Sequence, residues 1–147
     1  KKKDKLFFTD KYYKPELPLN LTKYLFKFAN SSIDVSDGLI DDLSKMINRQ
    51  NLSFHLFEKK IPISIRLKSL IKNKKIKKID LISKGDDYQV LFTANINKAR
   101  IIKKTSKTTG IKITKIGKII SGKDRSLIFD EKGKQIQAKS KGYIHQF

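Results

Sequence analysis

Asp34, Ser36 and Asp37 fall within one short stretch, Ser31-Ser32-Ile33-Asp34-Val35-Ser36-Asp37-Gly38-Leu39. It begins apolar and strand-like, then delivers two carboxylates, a hydroxyl and a glycine. Carboxylates joined by a hydroxyl make a hard oxygen site suited to Mg²⁺, an ion that keeps waters and shares its shell with phosphates. The stretch runs directly into Leu39, Ile40, Leu43, Met46 and Ile47, spaced as one face of a helix. The N-terminus of such a helix favours phosphate as well. Capping alone also accounts for the motif. Ser36 or Asp37 is the natural N-cap, and Asp41 and Asp42 suit the positive end of the helix dipole. A motif this short does not decide between the two readings.

A second stretch, Asp80-Leu81-Ile82-Ser83-Lys84-Gly85-Asp86-Asp87-Tyr88, sets a glycine and an acidic pair before the apolar run Val90-Leu91-Phe92. Gly and Asp are ordinary turn residues, yet an acidic pair beside a buried strand can also hold a cationic or hydrogen-bonding ligand. The chain closes on Gly142-Tyr143-Ile144-His145-Gln146-Phe147, whose aromatics predict a docked tail.

The elements that must position these residues follow from periodicity. Residues 4–20 read as irregular, and Pro15-Glu16-Leu17-Pro18 as an extended linker. A short helix is predicted over 22–30, a strand before Asp37, and a helix over 37–49. Leu52, Phe54 and Leu56 alternate as a strand, with His55 on its other face and without an assigned role. Helices are predicted over 64–73 and 96–109, the latter ended by Gly110. A strand over 113–120 carries Gly117 as a bulge or close contact. A hairpin is predicted around Asp130-Glu131-Lys132-Gly133. The mixture reads as an α+β domain, one mixed or antiparallel sheet with helices packed on it.

At 147 residues the chain has room for a real core. It has no cysteine, which rules out disulfides and thiolate metal sites. No apolar run approaches a membrane span. The start, Lys1-Lys2-Lys3-Asp4, has neither a signal-peptide core nor an initiator Met. A cytoplasmic piece of a longer protein is therefore expected. The net charge of +20 would draw phosphate backbones. The excess is almost all Lys, however, with Arg only at 49, 66, 100 and 125. The scarcity of Arg, the usual base reader, weighs against a nucleic-acid partner and for compositional drift. The lysines are spread along the chain, with one dense cluster at Lys72-Asn73-Lys74-Lys75-Ile76-Lys77-Lys78.

Taken together, Asp34-x-Ser36-Asp37-Gly38-Leu39, Gly85-Asp86-Asp87-Tyr88 and Gly142-Tyr143-x-His145 resemble, in order and spacing, the C-terminal domain of the thiamine-monophosphate kinase family. Pro15-Glu16-Leu17 and Ile116-Gly117-Lys118-Ile119 also look like that family. It lies in the wider superfamily of aminoimidazole ribonucleotide synthetase, selenophosphate synthetase and the hydrogenase maturation enzyme. The resemblance implies a fold like the C-terminal domain of aminoimidazole ribonucleotide synthetase over 21–147. Residues 1–20 would be the linker from an N-terminal ATP-binding domain.

The activity it implies is transfer of the ATP γ-phosphate to thiamine monophosphate, giving thiamine diphosphate, with Mg²⁺ and ATP bound and a homodimer at full length. Asp34 and Asp37 would ligate Mg²⁺, and Ser36 would contact ATP. Asp86, standing where the family usually has Glu, would contact substrate. Tyr143 would pack on the thiamine moiety, with Phe147 as the other aromatic of that tail. The chain has no Walker-type loop, so a P-loop mechanism is excluded. Without the other domain the chain is expected to turn over little or nothing. The rival readings are another phosphate-transferring enzyme of the superfamily, a basic nucleic-acid-binding module, and a regulatory domain that kept the fold without catalysis.

Overall fold

The computed structural model describes residues 2–48, 50–74, 76–85 and 87–137. The chain opens with helices α1 (Lys2–Tyr13) and α2 (Leu19–Leu25), separated by the non-helical Pro15–Pro18 segment. Helix α1 corrects the expectation of irregular chain over 4–20. Its apolar residues form no single stripe: Leu6, Tyr12 and Tyr13 are exposed. The helix is tethered sideways instead, with the Arg66 guanidinium 4.6 Å over the Phe7 ring and 3.6 Å from the Asp4 carboxylate. A periodicity criterion passes over such a helix.

Next come β1 (Ala29–Asp34), α3 (Leu39–Met46), β2 (Leu52–Phe57) and a 3₁₀ turn, Glu58–Lys60. Helices α4 (Ile65–Lys74) and α5 (Lys78–Ile82) lead to β3 (Val90–Ala94) and α6 (Ala99–Thr109). The described chain ends with β4 (Gly117–Ser121), β5 (Leu127–Phe129) and β6 (Gln135–Ile136). The expected hairpin is present as β5 and β6, paired antiparallel. Gly110 ends α6 in the left-handed conformation, as expected.

The α+β class holds, but the strands form two sheets, where the sequence leads one to expect a single one. β1 pairs antiparallel with β3, Asp34 opposite Val90. The second sheet runs β4-β2-β5-β6, with β2 antiparallel to β4 and parallel to β5. Alternation along a strand tells which face is buried, and leaves its partner open.

Helix α3 is the seam between the sheets. Its Leu39, Ile40, Leu43 and Met46 join one core with Phe54 and Leu56 of β2, Ile79 and Ile82 of α5, Leu91 of β3 and Ile128 of β5. Each such side chain contributes about 1.5–3 kcal/mol on burial. At the edge of that core β2 is stitched to the turn after β4. The Ser53 hydroxyl donates to Gly122 O at 2.6 Å and accepts from the Arg125 amide at 3.0 Å. Gly117 meets the β2 backbone closely, since a methyl there would lie 2.4 Å from His55 O. His55 itself packs edge-on against Phe129. Among the described residues, no helix is long and apolar enough to cross a membrane.

Candidate functional site

The β1–β3 ladder continues past its strand ends, and this brings the two acidic turns together. The Val35 amide donates to Gln89 O at 2.9 Å, and the Tyr88 amide donates to Val35 O at 2.8 Å. The Ser36-Asp37-Gly38 turn then lies directly against Ser83-Lys84-Gly85. A methyl on Gly38 would lie 2.6 Å from Ser83 O, and one on Gly85 would lie 1.8 Å from Ser36 O. Each glycine thus faces the other turn's backbone, and neither position admits a side chain. Tyr88 sits at the joint with a positive φ of 49°, a conformation that costs an aromatic residue energy and persists only where its surroundings hold it.

The start of α3 is capped differently from the sequence expectation. The N-cap is Gly38, with φ 126° and no side-chain cap bond, so neither Ser36 nor Asp37 caps. The turn folds back over the helix start instead, and its amides point at Asp42. The Asp42 Oδ2 accepts from the amides of Ser36, Asp37 and Gly38 at 2.9, 3.0 and 3.2 Å. Three amides on one oxygen form an anion nest, here filled from within the chain. Asp42 is only 1% exposed, which a carboxylate tolerates only with such partners. Sequence reading gave Asp42 a dipole role alone. The signal was its place three residues after Leu39 and four before Met46, on the buried face.

Asp37, Asp41 and Asp42 bring carboxylate oxygens within 4.8 Å of one another. Lys45 reaches all three: it pairs with Asp37, lies 2.8 Å from Asp41 Oδ2 and 3.5 Å from Asp42 Oδ1. The hydrogen bond to Asp37 above all, then that to Asp41, raises the Lys45 ammonium well above its ordinary value. The donor set is all carboxylate oxygen, which fits a hard divalent cation such as Mg²⁺. Asp34 ends β1 exposed to solvent and is not part of this group. Ser36 is half-buried, its amide spent on Asp42.

Lys45 is about half exposed, at 47%, so water screens its ion pairs. Lys45→Met is expected to cost less than about 1 kcal/mol at neutral pH, checked by urea unfolding. A raised ammonium stabilises the fold in full below its unfolded value of 10.5. That contribution fades as pH rises through the higher folded value. The gap between wild type and Lys45→Met should therefore stay flat from neutral pH to mildly alkaline pH and close only in strong alkali.

Beside the turns an open cleft of about 2120 Å³ is lined by Ser83, Lys84, Gly85, Asp87 and Gln89, among others. The Asp37, Asp41 and Asp42 carboxylates do not line it. The structure therefore packs the two turns together while presenting the described acidic cluster on a different wall. Two of the residues singled out from sequence, Asp86 and Tyr143, lie outside the described residues, as does Phe147.

No family model matches the chain. It is 37% identical over 126 residues to the thiamine-monophosphate kinase of Buchnera aphidicola subsp. Acyrthosiphon pisum, covering 82% of this chain and 37% of that protein. A crystal structure of thiamine monophosphate kinase from Aquifex aeolicus has a TM-score of 0.68 and 26% identity, over 90% of this chain and 41% of that one. A second structure, described as AaThiL complexed with AMPPCP and TMP, has a TM-score of 0.72 at 24% identity, over 96% of this chain and 42% of that one. The chain spans well under half the length of the curated relatives it matches. By sequence and by fold, it is a relative of the thiamine-monophosphate kinases, and its match is consistent with a C-terminal fragment of one.

Proposed function

We propose that the chain is the C-terminal part of an ATP-dependent kinase that phosphorylates thiamine monophosphate to thiamine diphosphate. The observation that carries this reading is the interlocked pair of turns, Ser36-Asp37-Gly38 against Ser83-Lys84-Gly85, in a chain whose relatives are kinases of that name. The fold neighbour described with AMPPCP and TMP supports nucleotide and phosphate ligands.

Phosphoryl transfer asks a protein for positioning and charge neutralisation more than for a nucleophile. Asp37, with Asp41 and Asp42 beside it, would hold Mg²⁺, and Asp34, exposed at the strand end and outside that group, would take part only through a second ion. When bound, that ion offsets the charge of phosphate oxygens. Asp42 keeps the turn in shape, and Lys45 neutralises the carboxylates. Ser36 contacts ATP. Asp86 and Tyr143 contact thiamine monophosphate. The rest of the nucleotide site comes from an N-terminal domain of the same protein, joined through residues 1–20, in a cytoplasmic homodimer.

The test is to incubate the whole protein with ATP, Mg²⁺ and thiamine monophosphate and to separate the products by chromatography. Thiamine diphosphate formed together with ADP supports the proposal. ADP formed only with another phosphate acceptor moves the protein to a sister activity of the superfamily. No ADP and no thiamine diphosphate sinks it.

A further inference from the structure

The lysines have a place of their own in the fold. The Glu58–Lys60 turn, α4 and the chain before β4 border an open pocket of about 570 Å³, within the ordinary range for a small-ligand site. Six lysines line it: Lys59, Lys60, Lys68, Lys72, Lys78 and Lys112. Glu131 is the one carboxylate-bearing residue on the described wall. Lys68 and Lys72 stand one helical turn apart on α4, where like charges destabilise each other. Among the described residues, Lys59, Lys68, Lys72 and Lys112 make no ion pair.

Lys78 plays a different part. Its ammonium donates to Glu58 O at 2.6 Å and to Ile61 O at 2.8 Å, fixing the turn that forms one wall. Burial depresses its pKa; the Glu58 and Glu131 carboxylates oppose that shift, and the nearby Lys68 adds to it. The remaining lining is Ile61, Pro62, Ile63, Ile71 and Thr114. Among the described lining residues none is aromatic, and the neighbouring Phe57 ring is covered by the Lys60 ammonium at 4.7 Å, so a base finds no platform of the kind that binds single-stranded nucleic acid. Lysines act as point charges for phosphate oxygens; Lys59, Lys60, Lys68, Lys72 and Lys112 are exposed around the pocket, and the two Lys78 bonds fix the turn that carries Lys59 and Lys60.

We propose that this pocket binds a compact polyphosphate, a short phosphate chain carrying several negative charges. None of Asp34, Asp37, Asp41 and Asp42 lines it, so the site is separate from the acidic turns. The ligand can be a free inorganic chain or the phosphate tail of a nucleotide, since nothing on the described wall reads a base.

Isothermal titration with inorganic tripolyphosphate, in EDTA and physiological salt, tests the pocket without recruiting the acidic site. The double variant Lys68→Glu/Lys72→Glu should weaken binding by about tenfold or more, because it reverses two converging charges. Lys104→Glu/Lys107→Glu makes the same charge change on exposed positions of α6 that line neither pocket and should weaken it by less than about twofold. Equal losses in the two variants would mean attraction to overall charge, and would overturn the proposal. A nucleoside triphosphate bound as tightly as tripolyphosphate supports a nucleotide source; tripolyphosphate bound more tightly supports the inorganic one. An oligonucleotide that outcompetes both, and is weakened equally by the two variants, also overturns it. Lys68→Gln/Lys72→Gln, expected to weaken binding by a smaller factor, replaces the reversed pair if that pair does not fold.

Discussion

Asp42→Ala is expected to destabilise the fold by about 3–5 kcal/mol, because three amides lose their acceptor and each buried donor left unsatisfied costs about 1–3 kcal/mol. The acceptor lost serves three amides at once, those of Ser36, Asp37 and Gly38. The consequence reaches the site directly, because those amides belong to the turn that carries Asp37. Asp42→Asn keeps a carbonyl oxygen for the amides and drops the charge, so it should cost about half as much. Urea unfolding gives the stabilities, and native-state hydrogen exchange gives the locus. Faster exchange at residues 36–38, out of proportion to global stability, is the expected signature. Unchanged exchange there would mean that the carboxylate does not organise the turn.

The second large effect is at Gly85. A methyl would lie 1.8 Å from the Ser36 carbonyl oxygen and 2.7 Å from its carbonyl carbon. The obstacle is backbone, so no rotamer change relieves it, and the two turns must separate. Gly85→Ala is expected to cost about 3 kcal/mol or more, at the upper end for overpacking. Gly133→Ala is the control. Nothing lies within 4 Å of its added methyl, and only its φ of 81° matters, so about 1 kcal/mol is expected. Equal losses at the two glycines would contradict the close approach of the turns. In the wild type, the Tyr88-to-Val35 and Val35-to-Gln89 amide protons should be protected. In Gly85→Ala they should exchange early, because they hold the same joint.

These two residues also mark what can be read without coordinates. Helix α3 is legible because Leu39, Leu43 and Met46 repeat at helical spacing and bury. Strand β2 is legible from Phe54 and Leu56, and the hairpin from its Asp-Glu-Lys-Gly turn. Gly85 is visible as a turn residue, but its tight approach to Ser36 is a contact across the fold that spacing does not encode. Asp42 is hidden for a related reason. An acid in the first turn of a helix fits the dipole rule so well that its burial goes unasked. Lys45 could be paired from sequence with Asp41, four residues before it; its hold on Asp37 depends on the turn folding back. Helix α1 escapes because its stabilising contacts come from Arg66 of α4, and because its own apolar residues face several directions.

The strand pairing has a consequence for how this polypeptide is made. β2 is bonded on one side to β4 and on the other to β5, and the Phe54 amide takes its partner Ser126 from 72 residues downstream. The first sheet is no more local: Ser31 and Thr93, 62 residues apart, share a hydroxyl contact. Among the described strands, only those of the short β5–β6 hairpin have a neighbour close in sequence. A nascent chain therefore leaves the ribosome with α3 formed at most locally and its apolar face uncovered, until residues near 129 have emerged. Ribosomal stalling shortly before that point should leave the second sheet open and the chain protease-sensitive, and release beyond it should let that sheet close onto α3.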